Sequence, residues 1–168
     1  MRKRILIVLA VITAMVFTST FASAQTKTVS RYNGRTYTHA DKYDDCIVVN
    51  GVDVSVYQKT TDWKKAKADG IDFAIIRVGG RGYGAAGNMY ADDYFKQNIE
   101  GAKAAGLMVG IYFFSQAINE LEAVAEANYA LKLLGDYDLD LPVFMDYEFS
   151  GGSSGRLTKA KLSKTKAT

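Results

Sequence analysis

The sequence predicts an α/β protein built from parallel strand–helix units, and three observations predict it. From Cys46 onward, apolar runs of strand length alternate with segments of helical periodicity. The later strands recur at a spacing of about 35 residues, which is ordinary for a βα unit. The strands are nearly continuous in apolar residues, as suits a sheet covered on both faces. Two closures fit this order: a doubly wound open sheet, or a (β/α) barrel. The chain has 168 residues, enough for about four βα units, whereas a closed barrel takes roughly 200 residues or more. The expectation is therefore a truncated barrel or a small open sheet.

Each element has a local reason. Arg2, Lys3 and Arg4 precede an apolar run from Ile5 to Phe17, and Ala22-Ser23-Ala24 follows as a small-residue cleavage site. Residues 1–24 thus read as a secretory signal peptide, too short in its apolar part to span a membrane comfortably. Residues 25–45 are polar and without sustained periodicity, and read as a leader or linker. The domain proper is expected at 46–168. Ile47 to Tyr57 reads as a first strand. Asp62 is placed to cap a short helix through Asp69, and Gly70 stops it. Ile71 to Val78 is a second, buried strand. Asp92 or Asp93 opens a helix through about Ala105, with Phe95, Ile99 and Ala102 on one face and Gly106 as its stop. Leu107 to Phe114 is a third strand. Asn119 caps a longer helix through Leu134, with Leu121, Val124, Ala125, Asn128 and Leu131 at helical spacing, and Gly135 ends it. Leu141 to Phe149 is a fourth strand, with Pro142 at its start, where a missing N–H is tolerated. A Gly/Ser loop (150–155) leads into the beginning of a fourth helix at Leu157.

Composition narrows the chemistry. Without the leader, 18 basic residues face 18 acidic ones. Five of the basic residues lie in 156–168, so the body of the domain is acidic. That argues against a nucleic-acid partner, which needs clustered Lys and Arg. There is one cysteine, Cys46, so no intrachain disulfide forms, and its place before an apolar run suits a small buried residue. The single histidine, His39, lies in a polar stretch. Zinc sites built on histidine and a Ser-His-Asp triad are therefore disfavoured. Hydrolytic chemistry has to rest on carboxylates.

The carboxylates are in telling places. Asp146-Tyr147-Glu148 ends the fourth strand. Strand side chains alternate, so Asp146 and Glu148 share a face, with Cα atoms about 7 Å apart, and Tyr147 points the other way. Parallel β/α folds build active sites at these strand ends. Two close carboxylates raise the pKa of one, and a protonated acid beside an ionised one is what glycosidic cleavage requires. Asp53 puts a third carboxylate inside the first apolar strand, where a charge is costly unless paired or working at a site. Arg77 is a plausible partner for Asp53 or the acid pair, or a structural ion pair. Tyr112 and Phe114, at i and i+2, can form an aromatic wall for a sugar ring or plain core. Gly82 to Gly87 matches G-x-G-x-x-G, but three residues intervene before the next helix can start. A flexible βα loop is the expectation there, rather than a nucleotide site.

Taken in order, GVDVSVYQ (51–58), FAIIRVG (73–79), Asp93 with Phe95 and Asn98 leading into AKAAGLMVGIYFF (102–114), and PVFMDYEF (142–149) resemble the family-25 glycoside hydrolases, the N-acetylmuramidase lysozymes. The resemblance runs from about Val49 onward. The leader at 1–24 is already expected to direct the chain to the cell exterior or wall; the resemblance implies an irregular β/α barrel and hydrolysis of the β-1,4 bond between N-acetylmuramic acid and N-acetylglucosamine in peptidoglycan strands. It implies Glu148 as general acid, Asp146 as the assisting aspartate and Asp53 as a further acid of the site. Arg77, Tyr112 and Phe114 are then substrate-binding, and no cofactor is needed. The family's domain continues through further strands. A half barrel exposes strand edges, so a product ending at residue 168 is expected to fold weakly and act little, and a longer one to be active. The alternative is a wall-glycan-binding remnant that does not cleave.

Overall fold

The computed structural model describes residues 25–29, 34–149 and 155–162. The expected leader at 1–24, most of the Gly/Ser loop (150–154) and residues 163–168 lie outside them. In chain order the strands and helices are β1 (Gln25–Val29), β2 (Thr36–Ala40), β3 (Gly51–Val54), α1 (Trp63–Ala68), β4 (Phe73–Arg81), β5 (Met89–Ala91), α2 (Phe95–Ala104), β6 (Met108–Ser115), α3 (Glu120–Leu134), β7 (Val143–Tyr147) and α4 (Arg156–Lys159). The strands β3, β4, β6 and β7 pair in parallel in that order, joined by right-sized helical crossovers, and β5 folds back antiparallel on β4. The α/β class and the parallel sheet thus follow the expectation.

The helices start and stop where their caps require. The Asp62 side chain accepts from the Lys65 amide at α1, and Asn119 accepts from Glu122 at α3. Such caps satisfy an otherwise orphaned N–H and are worth about 1 kcal/mol each. The core lies between one sheet face and the helices. Val54, Ala74, Ile76, Val78, Val109, Ile111 and Phe113 point from the strands toward Phe95, Ile99 and Ala102 of α2 and Ala130 of α3. Trp63 of α1 lies against Gly101, where an added Cβ would sit 2.5 Å from the indole. A glycine there lets the two helices meet.

Several expectations are corrected. Among the described residues the helices cover one face of the sheet, and the other face forms a groove. The first strand is Gly51–Val54 rather than 47–57, because Ser55 and Gln58 form a capping box that turns the chain into a short 3-10 segment at Val56–Gln58. Cys46 is exposed, as are Ile47 and Val49 in the stretch before β3. Within the polar stretch 25–45, β1 and β2 pair antiparallel. Tyr94, rather than Asp92 or Asp93, stands at the N-cap position of α2.

The rotation of α3 also differs. Leu121, Val124 and Leu131 face outward, with Leu121 84% exposed, while Glu126 is 3% exposed. An ion pair sets this rotation. Glu126 Oε1 accepts from Arg81 Nε at 2.7 Å, and Oε2 accepts from Ser115 Oγ at 2.6 Å. At the sheet's edge, Val143, Phe144 and Met145 of β7 are exposed, since among the described residues β7 pairs on one side only.

Candidate active site

Parallel register carries the site residues into one groove. Asp53 of β3 stands beside Ile75 of β4, which stands beside Gly110 of β6. One step further along, Arg77 stands beside Tyr112, and Tyr112 beside Phe144 of β7. Next comes the row of Gly80, Phe114 and Asp146. These residues share the face opposite the core, by the two-residue period of a strand. A register shift between Arg77 and Gly79 lets Val78 keep its place in the core while the row advances.

The groove at the strand ends has a volume of about 370 Å³ and is lined by Asp53, Asp146 and Glu148, with Arg77, Tyr112 and Phe114. Every residue singled out as a candidate from the sequence therefore borders one cavity. Tyr57, Tyr83 and Tyr90 complete its wall. These three were missed by sequence reasoning, although Tyr57 follows Asp53 within GVDVSVYQ and Tyr83 sits inside the glycine-rich motif. Tyr83 meets Phe114 edge to face, with ring centroids 5.5 Å apart.

The acids interact. The Asp146 carboxyl is pushed up to about 6, first by burial, then by the Glu148 charge and the hydrogen bond between the two, and further by Asp53. Arg77 opposes this rise. The aspartate end of the D-x-E pair thus holds a proton well above the ordinary carboxylate range. Asp53 is exposed to the groove rather than buried in the strand, because among the described residues no element covers that face. Burial and the Asp53 charge also drive the Tyr112 hydroxyl upward, so it stays a neutral hydrogen-bonding group at working pH.

Arg77 does not pair with Asp53 or with the D-x-E acids. Its Nε donates to Asp92 Oδ2 at 2.7 Å. The same oxygen accepts from the Val56 amide at 2.9 Å, and Oδ1 accepts from the Tyr94 amide at 3.0 Å. Asp92 is thus a buried junction tying β4 to the turn after β3 and to the start of α2. The sequence offered Asp92 only as a helix opener. The Arg77 guanidinium lies 5.2 Å from the Tyr57 ring centroid and 5.9 Å from that of Tyr90, so it presents its charge between two aromatic faces.

Gly82 to Gly87 is the turn of the β4–β5 hairpin, with the Gly82 amide bonded to the Asn88 carbonyl. A dinucleotide site needs that motif to run from a strand into a helix N-terminus. The hairpin removes the helix, and the nucleotide reading with it.

A parallel β/α sheet with acids at the carboxyl ends of its strands is the layout of a carboxylate-based hydrolase. Comparison with known proteins agrees. Residues 52–168 match the profile of glycosyl hydrolases family 25, and the chain belongs to that family. Lysozyme M1 of Streptomyces globisporus is 33% identical over 103 residues, covering 60% of this chain and 33% of that lysozyme. A family 25 glycosyl hydrolase from Bacillus anthracis superposes with a TM-score of 0.53 at 27% identity, over 68% of this chain and 48% of that one. A muramidase from Trichobolus zukalii does so with a TM-score of 0.53 at 31% identity, over 64% and 50%. The chain spans about a third of that curated lysozyme and about half of these solved structures.

Proposed function

We propose that the groove is the catalytic cleft of a secreted muramidase that hydrolyses the β-1,4 bond between N-acetylmuramic acid and N-acetylglucosamine in peptidoglycan. The observation that carries this reading is the acid pair: Asp146 and Glu148 share a hydrogen bond in one cleft, with Asp146 raised to about 6. Below that pH the pair holds one proton. That proton passes from Asp146 across their hydrogen bond to Glu148, the more exposed of the two, which delivers it to the leaving glycosidic oxygen. The Asp146 carboxylate left behind accepts the N–H of the sugar's N-acetyl group, whose carbonyl oxygen bonds to the anomeric carbon as the glycosidic bond breaks; water then displaces that oxygen and its proton returns to the pair. Asp53 adds negative charge beside the developing oxocarbenium centre. Tyr57, Tyr83, Tyr90 and Phe114 offer faces and edges to pyranose rings, and Arg77 offers donors to their substituents. Secretion is supported by the charged, apolar and small-residue pattern of residues 1–24, and it would deliver the protein to its substrate.

Turbidity loss of purified bacterial walls tests the proposal. Glu148→Gln is expected to lower the rate by about a thousandfold, within the range for removing a general acid. Cleavage by that variant at the parent's rate would remove Glu148 from its role. Binding of walls without release of reducing sugar by the parent would favour a glycan-binding module instead.

A further inference from the structure

The glycine-rich turn at 82–87 has the composition of a flexible loop, yet it is held from two sides. From β4, Arg81 Nη1 donates to the Gly87 carbonyl at 2.7 Å. From α4, Arg156 Nη1 donates to the Ala85 carbonyl at 2.6 Å. The other Arg156 nitrogens are also engaged. Nη2 lies 2.6 and 2.7 Å from the two carboxylate oxygens of Glu122, and Nε donates to the Gln116 carbonyl at 3.2 Å. Arg156 is 7% exposed. Gly87 has φ +55, and a Cβ there would fall 2.4 Å from Arg156 Cζ. The guanidinium therefore lies directly against the turn's backbone, where only glycine fits. Burial alone would raise the Glu122 carboxyl, but the Arg156 hydrogen bond holds it below its ordinary value, as a lasting charge pair requires.

What the turn carries is Tyr83, which leans on Phe114 and lines the cleft beside Glu148. We propose that Arg156 is a positioning residue: its buried guanidinium clasps the 82–87 turn and thereby fixes the Tyr83 ring as a binding wall of the cleft. Only an arginine presents three nitrogens in one plane to a carboxylate and two carbonyl groups together; a lysine reaches fewer. Arg156 touches Gln116 only at its backbone carbonyl, whereas the acid pair is held by the Gln116 side chain, whose Nε2 donates to the Glu148 carbonyl at 2.8 Å, and Glu126 fixes the Gln116 amide independently at 3.2 Å. Loss of the clasp should therefore weaken glycan binding and leave the chemical step nearly intact.

The clasp itself is independent of the muramidase reading; only its kinetic consequence rests on it. Hydrogen–deuterium exchange on the full chain tests the clasp. The Gly82 and Gly87 amides, which donate to Asn88 and Gly84, are expected to exchange roughly tenfold faster in Arg156→Ala, with residues 73–78 and 108–113 unchanged. Should that variant fail to fold, Arg156→Lys and Glu122→Gln loosen the same contacts more gently and should speed exchange in the same turn. Unchanged exchange at 82–87 in the folded variants overturns the proposal. On purified walls, Arg156→Ala should raise KM roughly tenfold with kcat within about threefold. Tyr83→Ala should do the same, and the double variant should be no worse than Tyr83→Ala, the mark of two residues acting as one. Additive losses, or a fall in kcat with KM unchanged, would overturn the assignment to Tyr83. A parent inactive on walls would defeat the muramidase reading, and the exchange result would still decide the clasp.

Discussion

The two faces of the sheet are made by the same four strands and differ in almost every property. Toward the helices stand Val54, Ala74, Ile76, Val78, Val109, Ile111 and Phe113, all buried. Toward the groove stand Asp53, Arg77, Tyr112, Phe114 and Asp146, which line its wall. The two-residue period lets a single strand serve both purposes. In β6, Val109, Ile111 and Phe113 hold the core while Tyr112 and Phe114, between and after them, build the cleft. The lesson is that adjacent residues can be assigned to stability or to function by parity alone.

That division can be broken by mutation. The largest effect is expected on the helix side. Arg81→Met leaves Glu126 buried without its cation and should cost about 3–5 kcal/mol in urea unfolding. Ile76→Ala, an apolar truncation on the same side, should cost about 2–5 kcal/mol. A groove-side variant should behave oppositely. The folded state binds the Asp146 proton more tightly than the unfolded state does. Ionising it therefore costs the fold stability as pH rises from the ordinary carboxylate range through about 6. Asp146→Asn escapes that cost and should be more stable than the parent above pH 6, by about 1 kcal/mol once screening in an open groove is allowed for. It should also lose most wall hydrolysis. The smallest effect on stability belongs to Asp53→Asn, expected within about 0.5 kcal/mol because the side chain is exposed. Its activity should still fall. A loss of stability there similar to that of Ile76→Ala would dissolve the contrast between the faces.

The same contrast explains what could be read from the sequence. Strands, helices and their caps were legible because each depends on neighbours: Asp62, Asn119 and Gly135 act within one turn of chain. The D-x-E pair and Asp53 were legible because carboxylates at strand ends are chemically conspicuous. The partners of Arg77, Arg81 and Arg156 were not, since Asp92, Glu126 and Glu122 meet them only through tertiary packing across 15 to 45 residues of sequence. The rotation of α3 was hidden for the same reason. Its apolar stripe suggested one face, and the Glu126 ion pair chose another. Tyr57 and Tyr83 lay inside motifs read for other reasons, because an aromatic residue in a turn acquires a role only from the groove beside it.

The claim on which the account rests is that the pair at the end of β7 retains one proton up to about pH 6. Carbon-13 NMR titration of the carboxyl groups measures it directly, with Asp146→Asn and Glu148→Gln assigning the signals. One carboxyl of the pair should titrate near pH 6, and that value should fall toward the ordinary carboxylate range in Glu148→Gln. Ordinary, independent titration of both carboxyls near pH 4 in the parent would contradict it.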